Sequence, residues 1–457
     1  MGRLFGTDGA RGIANSELTC ELAMEIGRAA AAVLIDSTHK RPKILIGKDT
    51  RLSSDMLEGA LTAGLCSVGA DVVSLGVIPT PAVAFLVGKY KADAGIMISA
   101  SHNPHEFNGI KIFSGDGYKL PDILEEEIEA IVLDKVKTLD LKTGADIGKV
   151  SYALNAARDY IDHVKTTVPF SLRGMKLAID CSNGSASRTA KELFTELGAE
   201  CFMLFDKPNG TNINYECGST HMDELMRYVR ENEFDAGVAF DGDADRCLMV
   251  DEKGCLVDGD FLMAICAADL KSRGKLAKDA VVGTIMTNMG FTRFCSENNM
   301  KFVSTKVGDR YVLECMLREG YNFGGEQSGH IIFLDFATTG DGQLTAAQLL
   351  SLLNRRNAKL SSIATLMSRY PQVMVNVKIS SEGKIKFYTD SIIKEKIEDV
   401  KNLLDDKGRI VVRASGTEPL IRVMLEGEDY NNIEKLANEV ADIIRQRLSQ
   451  IKIGEIN

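Results

Sequence analysis

The sequence predicts an α/β protein: three similar mixed α/β domains of βαβ units, plus a smaller C-terminal α+β domain, all around a central cleft. Three observations support this fold class. The chain has 457 residues, too many for one ordinary hydrophobic core. One plan of strand, helix and strand recurs three times, and the pattern changes after residue 371. The composition, with 45% hydrophobic and 26% charged residues, is that of a globular protein.

Each repeat contains an apolar strand, a helical stretch and a second strand, which together indicate a βαβ unit. In the first two repeats the helix ends at Gly-Ala, a C-terminal capping signal that the third repeat lacks. The predicted members are 43–47, 57–69 and 71–75, then 176–180, 189–198 and 200–205, then 280–284, 291–299 and 301–305.

A further apolar strand in every repeat leads into a polar loop. These loops are residues 99–104, 241–246 and 325–330. Because ligands of open α/β sheets bind beyond the carboxyl ends of the strands, we expect the three loops to share one cleft. A fourth polar loop, 413–419, follows a strand of the C-terminal domain. The predicted domains, with one loop each, are residues 1–152, 153–254, 255–368 and 372–457.

Charge and composition exclude several classes of protein. Lys+Arg 54 against Asp+Glu 64 gives a net charge of -10, which disfavours nucleic acid as a partner. No apolar run approaches the ~18 residues of a membrane span, and the N-terminus has no signal-peptide core. The ten cysteines are scattered singly, as expected for reduced thiols. The prediction is a cytoplasmic protein without a membrane partner.

Three carboxylates at alternate positions, Asp241, Asp243 and Asp245, follow the strand of the second repeat. Oxygen ligands without nitrogen or sulfur suit Mg²⁺, which usually also binds a phosphate oxygen. An EF-hand is disfavoured because Arg246 stands where that loop needs glycine and strand-like segments flank the loop. A solvated acidic turn remains the simpler alternative.

The first polar loop places Ser101 beside His102. A Ser-His-Asp hydrolase is disfavoured because no G-x-S-x-G elbow surrounds the serine and adjacent side chains of an extended segment point apart. A turn whose Ser and Asn side chains bond their own backbone is one alternative. A phosphorylated Ser101 facing a metal is the other, and the Asp loop at the equivalent place in the next repeat favours it.

The fourth loop contains groups that grip phosphate: guanidinium, hydroxyl and open backbone. They are Arg413, Ser415, Gly416, Thr417 and the nearby Arg422. An ordinary turn has a similar composition.

The third loop contains Glu326 and Ser328, which could hydrogen-bond vicinal hydroxyls of a sugar. Lys306 and Arg310 add two cations at a strand end, and these are equally consistent with substrate contact and with surface charge.

Taken together, the loops resemble those of the α-D-phosphohexomutase superfamily. The Ser-His-Asn-Pro, Asp-Gly-Asp-Ala-Asp-Arg, Gly-Glu-x-Ser-Gly-His and Ser-Gly-Thr-Glu-Pro elements occur in the family order, and the resemblance extends from Phe5 to Arg422. Residues 2–15, residues 306–310 and Gln327 look like the branch that interconverts glucosamine 6-phosphate and glucosamine 1-phosphate. Ala414 replaces a proline of many relatives, and no motif residue is missing.

The resemblance implies a phosphoryl transfer through Ser101. This serine would carry the phosphoryl group, and a Mg²⁺ cofactor would be bound by that phosphate together with Asp241, Asp243 and Asp245. A 1,6-bisphosphate would form as an intermediate in the cleft while the fourth loop grips the remote phosphate.

The resemblance also suggests roles for three residues near Ser101. His102 and Lys111 are the candidates for proton transfer, and Arg11 would hold the phosphoserine. The expected partner is a small sugar phosphate, and the sequence is compatible with a homodimer without fixing the oligomeric state. Two other functions stay open: a sister mutase for mannose or glucose phosphates, and a non-catalytic sugar-phosphate sensor.

Overall fold

The computed structural model describes residues 3–6, 8–34, 41–415 and 419–448. They form two compact units. The larger comprises the described parts of residues 1–286 and 300–366, and the smaller those of residues 287–299 and 367–457. Within the described ranges, no helix is both long and apolar enough to cross a membrane.

The first part of the larger unit is a seven-stranded sheet with helices. Its elements are β1 (Phe5–Gly6), β2 (Gly9–Ile13), α1 (Cys20–Leu34), β3 (Lys43–Lys48), α2 (Leu52–Ser67), β4 (Asp71–Val77), α3 (Thr80–Tyr90), β5 (Ala94–Ile98), β6 (Phe107–Ser114), α4 (Asp122–Leu133) and β7 (Val150–Tyr152). The strand order is β1-β2-β6-β5-β3-β4-β7. The core between α1, α2 and this sheet is built from alanine, leucine and isoleucine side chains.

A five-stranded sheet follows in the chain. Its elements are α5 (Ala156–Thr167), β8 (Lys176–Asp180), α6 (Ala190–Glu196), β9 (Glu200–Leu204), α7 (Asp223–Glu231), β10 (Ala236–Phe240), β11 (Cys247–Asp251) and β12 (Leu256–Val257). The strand order is β12-β11-β10-β8-β9.

The third sheet has four strands. The elements of this part of the chain are α8 (Gly259–Ser272), β13 (Ala280–Thr284), α9 (Met289–Glu297), β14 (Lys301–Thr305), α10 (Asp309–Glu319), β15 (Phe323–Gly325), β16 (Ile331–Phe333), α11 (Gly342–Arg356) and α12 (Leu360–Ile363). The strand order is β14-β13-β15-β16.

The three sheets share one four-strand arrangement, which confirms the predicted repeat. Orders β4-β3-β5-β6, β9-β8-β10-β11 and β14-β13-β15-β16 are equivalent. In each sheet the first three strands of this order are parallel and the fourth is antiparallel to its neighbour. Each polar loop therefore joins the end of a parallel strand to an antiparallel one, at the same edge of its sheet.

Glycine caps end the first two repeat helices as the sequence predicts. Gly69 and Gly198 have φ of +93° and +103°, and their N–H groups donate to carbonyls of the preceding turn. In the third repeat Asn299 takes the same left-handed position, with φ of +52°. Asparagine tolerates this conformation better than most residues, so α9 is capped without glycine.

The smaller unit contains the C-terminal α+β domain. Its elements after α12 are β17 (Gln372–Lys378), α13 (Ser381–Phe387), α14 (Ser391–Leu404), β18 (Gly408–Ala414), β19 (Leu420–Gly427) and α15 (Tyr430–Leu448), with the antiparallel strand order β17-β19-β18. Helix α9 also belongs to this unit, because Asn288 donates to the Tyr370 carbonyl at 3.0 Å and the Met289 N–H donates to Glu426 at 3.0 Å. The two compact units do not separate the four predicted domains, so the expected domain boundary at residue 368 stays a prediction.

Candidate active site

The three aspartates of the second polar loop lie together in the interior of the larger unit. Asp241, Asp243 and Asp245 follow β10 directly and are at most 3% exposed. One carboxylate oxygen from each lies within 4.8 Å of the other two. The tight turn places Ala244 at φ of +57° and requires glycine at position 242, where a Cβ would lie 2.6 Å from the Ser101 carbonyl oxygen.

Three buried carboxylates are costly unless positive charge compensates them. Burial raises the pKa of Asp241 well above its usual value, and the charges of Asp245 and Asp243 add to that effect. Burial acts in the same direction on Asp245, but Lys111 and His330 hold the pKa of that carboxyl well below its usual range.

Two of the carboxylate oxygens are available to a ligand. Asp243 Oδ1 and Asp245 Oδ1 are buried and accept no hydrogen bond from the residues that the structure describes. An all-oxygen donor set with buried, unpartnered acceptors fits a hard divalent cation. Glu252, the residue that would complete an EF-hand, instead accepts a hydrogen bond from the Ser361 N–H at 3.2 Å, and strands β10 and β11 flank the loop.

Ser101 joins the first polar loop to the second. It is fully buried with φ of +52°, and its Oγ donates to Asp241 Oδ2 at 2.6 Å. His102 Nδ1 lies 3.3 Å from the same Oγ. Our expectation that these neighbouring side chains point apart is therefore wrong, because Ser101 is in the left-handed conformation instead of an extended one.

The imidazole of His102 is neutral at pH 7. Burial, together with the positive charges of Arg246 and Arg11, lowers the pKa of His102 to about 4. A neutral imidazole beside a serine hydroxyl can accept a proton.

Lys111 brings a buried positive charge to the acidic triad. It lies on β6, opposite Met97 of β5, and its Nζ is 2.7 Å from Asp243 Oδ2 and 3.4 Å from Asp245 Oδ2. Burial disfavours the charged amine, but Asp243, Asp8 and Asp245 outweigh burial and raise the pKa of Lys111. This lysine therefore remains protonated and acts on the site as a fixed cation.

Two arginines have unused donors near the triad. Arg11 pairs with Asp8, and Arg246 Nε is 3.9 Å from Asp241 Oδ2 and from Asp245 Oδ1. The Nε atoms of both arginines are buried and donate no hydrogen bond to the described residues. Buried donors of this kind suit a phosphate group, whose oxygens accept hydrogen bonds.

The third polar loop meets the second through His330. Its Nδ1 lies 3.7 Å from Asp245 Oδ2. In the same loop, Glu326 Oε1 accepts from the Gly308 N–H at 3.1 Å, and burial followed by the charge of Asp309 raises the pKa of Glu326. Ser328 is exposed. The Gln327 side chain donates to Asp260 at 3.1 Å and so anchors the loop to α8.

The two cations of residues 306–310 have different environments. Lys306 is exposed, with its Nζ 5.7 Å from the centre of the Tyr311 ring. Arg310 is buried and donates to Glu125 at 2.9 Å, to the Leu120 carbonyl at 3.1 Å and to Asp122. Its guanidinium therefore holds the loop against residues 120–125 and is not a surface charge, while its contact with substrate stays a prediction.

The fourth polar loop lies in the smaller unit. Arg413 on β18 is directly opposite Arg422 on β19, and burial together with the charge of Arg422 lowers the pKa of Arg413. Ser415 is buried, and its carbonyl accepts from Lys384 Nζ at 2.8 Å. Gly416 and Thr417 fall outside the described residues. Like charges opposite each other in a sheet are destabilising, so this arrangement favours binding of an anion.

Sequence reasoning missed several residues of the site. Thr80 Oγ1 donates to Asp243 Oδ2 at 2.5 Å, and Asp49, Arg51 and Asn214 surround the Ser101 loop. A signal for two of them was present, because Asp49 and Arg51 follow the carboxyl end of β3, where the polar loops of the other parallel strands also begin.

Comparison with known families covers nearly the whole chain. Models of the phosphoglucomutase/phosphomannomutase family match residues 2–138 (alpha/beta/alpha domain I), 158–254 (domain II), 258–370 (domain III) and 374–443 (C-terminal domain).

Among curated relatives, a phosphoglucosamine mutase of Caldanaerobacter subterraneus subsp. tengcongensis is 56% identical, and one of Clostridium acetobutylicum is 54% identical. Each alignment covers 98% of this chain and 100% of the relative.

Solved structures show the same fold at lower identity. The crystal structure of a phosphoglucomutase/phosphomannomutase family protein from Burkholderia thailandensis matches with a TM-score of 0.82 and 24% identity, over 98% of each chain. That of Aspergillus fumigatus N-acetylphosphoglucosamine mutase, in complex with GlcNAc-6P and magnesium, matches with a TM-score of 0.68 and 18% identity, over 97% of this chain and 95% of that one. The four family domains and the full-length relatives together establish that the chain belongs to the phosphoglucomutase/phosphomannomutase family of the α-D-phosphohexomutase superfamily.

Proposed function

We propose that this chain interconverts glucosamine 6-phosphate and glucosamine 1-phosphate, the reaction of a phosphoglucosamine mutase. The observation that carries the proposal is the 2.6 Å hydrogen bond between Ser101 Oγ and Asp241 within a buried triad of carboxylates. Relatives named phosphoglucosamine mutase that match 98% of the chain support the choice of sugar.

The proposed chemistry transfers one phosphoryl group to the sugar and takes another back. The O1 hydroxyl of glucosamine 6-phosphate attacks the phosphorus on Ser101, so that the O1–P bond forms, the Oγ–P bond breaks and O1 loses its proton. Ser101 Oγ then attacks the phosphorus at O6 of the 1,6-bisphosphate, and the O6 leaving group takes up a proton. Neutral His102, 3.3 Å from Oγ, is our candidate for passing the O1 proton to the departing Oγ in the first step and the Oγ proton to the departing O6 in the second.

Mg²⁺ is the proposed cofactor. Asp241, Asp243, Asp245 and phosphorylated Ser101 would hold it, because two buried oxygens of the triad accept no hydrogen bond from the described part of the chain and the triad carries no nitrogen or sulfur donor. Bound Mg²⁺ supplies positive charge that stabilises the phosphoryl group during transfer. Lys111, which is held as a cation, supplies positive charge from the protein itself.

Arg11 and Arg246 are proposed to bind the phosphoserine oxygens. Each has a buried Nε without a hydrogen-bond partner among the described residues. Each guanidinium also has a negatively charged neighbour, which is Asp8 for Arg11 and the acidic triad for Arg246. These neighbours keep both guanidinium groups near the site when Ser101 is not phosphorylated.

The rest of the substrate is assigned to the third and fourth loops. Glu326 and Ser328 are proposed to hydrogen-bond sugar hydroxyls, with exposed Lys306 contributing charge. Arg310 is proposed to act indirectly, by holding its loop against residues 120–125. The remote phosphate is assigned to the opposed arginines of the smaller unit and to their loop: Arg413, Ser415, Gly416, Thr417 and Arg422.

Parallel assays on three sugar phosphates test this proposal. With ³¹P NMR to follow formation of the 1-phosphate, we expect the highest kcat/KM for glucosamine 6-phosphate, with residual activity on glucose 6-phosphate and less on mannose 6-phosphate. A site that bonds a particular polar group rejects an analogue without it, since a buried partner is left unpaired. If mannose 6-phosphate were best, the assigned sugar would be wrong. If none were converted, the mutase proposal would be overturned.

A further inference from the structure

A fully buried arginine lies directly beneath the Ser101 loop. The guanidinium of Arg51 donates to the backbone carbonyls of Ser101 at 2.9 Å, Asn103 at 2.8 Å and Phe107 at 3.1 Å, and also to that of Pro104. One side chain thus satisfies four carbonyls of a single loop. Lysine could not replace it, because an ammonium lacks the planar fork of donors that reaches several acceptors at once.

Asp49 links that arginine to the backbone of Ser101. Its Oδ2 accepts from Arg51 Nε at 2.8 Å and from Ser99 Oγ at 2.7 Å. Ser99 Oγ in turn accepts the N–H of Ser101 at 2.9 Å. The N–H and the carbonyl of Ser101 are therefore both tied to one buried ion pair.

A residue of the second family domain, Asn214, donates hydrogen bonds to two of the same carbonyls. Asn214 Nδ2 donates to the carbonyl of Ser101 at 2.8 Å and to that of Asn103 at 3.0 Å. Arg51 and Asn214 therefore share two acceptors, although they are separated in the chain and lie in different family domains. The hydrogen bonds from Arg51 and Asn214 therefore connect the Ser101 loop to both family domains.

These contacts explain how Ser101 keeps an unfavourable backbone conformation. A non-glycine residue at φ of +52° persists only where the surroundings fix it. An extended backbone at the same position would turn the side chain to the other face of the segment and away from Asp241.

We propose that Asp49, Arg51 and Asn214 are positioning residues for phosphoryl transfer: they hold Ser101 in the left-handed conformation that directs its Oγ at Asp241. The inference rests on the proposed function of Ser101. All three act through the backbone and through Ser99, so their loss affects the rate of transfer more than the binding of the sugar phosphate.

The test uses Asn214→Ala, Asn214→Asp and Arg51→Lys in the full-length enzyme. We expect kcat to fall by at least about tenfold, because small misplacements of a reacting group cost up to about a hundredfold in rate. KM for glucosamine 6-phosphate should change by less than about threefold. Hydrogen exchange of peptides covering residues 99–107 should increase in every variant, whether or not the enzyme is turning over.

Asn322→Ala is the matched control. The Asn322 side chain also makes hydrogen bonds to the backbone, since it donates to the Lys275 carbonyl at 2.9 Å and accepts from the Ala277 N–H at 2.9 Å. Asn322 lies at the opposite end of β15 from the Glu326 loop. Its loss should lower stability without changing kcat or the exchange of residues 99–107. If Arg51→Lys does not fold, the isosteric Asn214→Asp still provides the test.

Three results separate the alternatives. Wild-type exchange and wild-type kcat in both Asn214 variants would overturn the positioning role. Equal falls in kcat for Asn322→Ala and the Asn214 variants would also overturn it, because a general loss of stability would then explain the effect. A wild-type enzyme that is active without phosphate on Ser101 would instead overturn the proposed function. The hydrogen exchange of residues 99–107 would still show whether Arg51 and Asn214 hold the loop.

Discussion

At the scale of single residues, Ser101 has the properties of a phosphate carrier more than those of a hydrolytic nucleophile. Its hydroxyl donates to a carboxylate of an acidic triad, and a fixed cation, Lys111, neutralises part of that triad. Negative charge placed on Ser101 without a metal would be repelled by Asp241, so a cation is needed once the serine is phosphorylated.

Replacing Ser101 tests this role. Ser101→Ala should lower kcat by more than about a thousandfold, since no group remains to hold the phosphoryl group between half-reactions. The thermal midpoint should change little, because one hydrogen bond contributes about 1 kcal/mol. Ser151→Ala, an exposed serine of β7, is the control and should keep full activity. Near wild-type turnover in the Ser101→Ala enzyme would exclude the phosphoserine mechanism.

His102 gives a pH prediction. Its pKa of about 4 in the folded protein lies below the usual 6.5, so the unfolded chain binds this proton first as the pH falls. The contribution of His102 to stability is therefore fully present above about pH 6.5 and is lost towards pH 4. Thermal midpoints of wild type and His102→Gln, compared between pH 7 and pH 4, should converge as the pH falls.

The same variant tests proton transfer. His102→Gln should lose about a hundredfold or more in kcat at pH 7, the usual contribution of a general base. In the wild type, the acid limb of the kcat profile should lie well below pH 6. A limb centred near pH 6.5, or an unimpaired His102→Gln enzyme, would argue that another group moves the proton.

Residue identities in the site were more predictable than their contacts. The three aspartates and Ser101 could be found from local spacing, because consecutive residues of one loop supply them. For Arg51 the sequence offers its place after β3 but not its contacts, since these are with carbonyls about fifty positions away in the chain. The contacts of Arg310 could not be predicted either, because its partners, Leu120 and Glu125, lie in a distant segment.

At the scale of elements, the repeated four-strand order explains why polar loops recur at equivalent places. The sequence predicted these strands because short apolar runs alternated with helical stretches and glycine caps. It placed the start of α2 at residue 57, whereas the helix begins at Leu52. The error arises because Leu52, Ser53 and Ser54 carry no apolar periodicity, and the hydrogen bond from Ser54 Oγ to Asp49 at 2.9 Å leaves no such pattern in the sequence.

The paired strands β18 and β19 lead to a prediction about binding. Arg413 and Arg422 oppose each other, and Arg422→Gln removes one of these two positive charges. The same change should raise KM for glucosamine 6-phosphate by about tenfold or more, because a charged phosphate contact is lost. Arg445→Gln on α15, which loses only an exposed pair with Asp442, is the control. An unchanged KM in the Arg422 variant would remove this loop from the substrate site.

At the scale of the whole molecule, the chain forms two compact units that do not coincide with four domains. The excursion of residues 287–299 into the smaller unit could not be predicted from periodicity. Local sequence specifies α9 as a helix between two parallel strands. Its assignment to the smaller unit depends on hydrogen bonds of Asn288 to Tyr370 and of Met289 to Glu426, far along the chain. Tertiary contacts of this kind leave no local pattern.

Metal dependence is predicted for the larger unit, which contains the whole acidic triad. Treatment with EDTA should abolish activity, and Mg²⁺ should restore it, because the triad brings together three carboxylates whose charge Lys111 offsets in part. Mg²⁺ at about one hundred times its Kd should stabilise the protein by about 2.7 kcal/mol. The variant Asp243→Asn should show a much smaller shift of the thermal midpoint. Full activity in chelator would mean that the Asp loop is only a buried turn.

The phosphorylation state of Ser101 during turnover tests the central claim most directly. Intact-mass analysis with peptide mapping should find one phosphate on Ser101 of the purified enzyme. On addition of one equivalent of glucosamine 6-phosphate, that phosphate should pass to O1 of a sugar 1,6-bisphosphate and leave in glucosamine 1-phosphate, while the phosphate from O6 takes its place on Ser101. An enzyme that turns over glucosamine 6-phosphate while Ser101 stays unphosphorylated, or while its phosphate never exchanges with the sugar, would contradict the account.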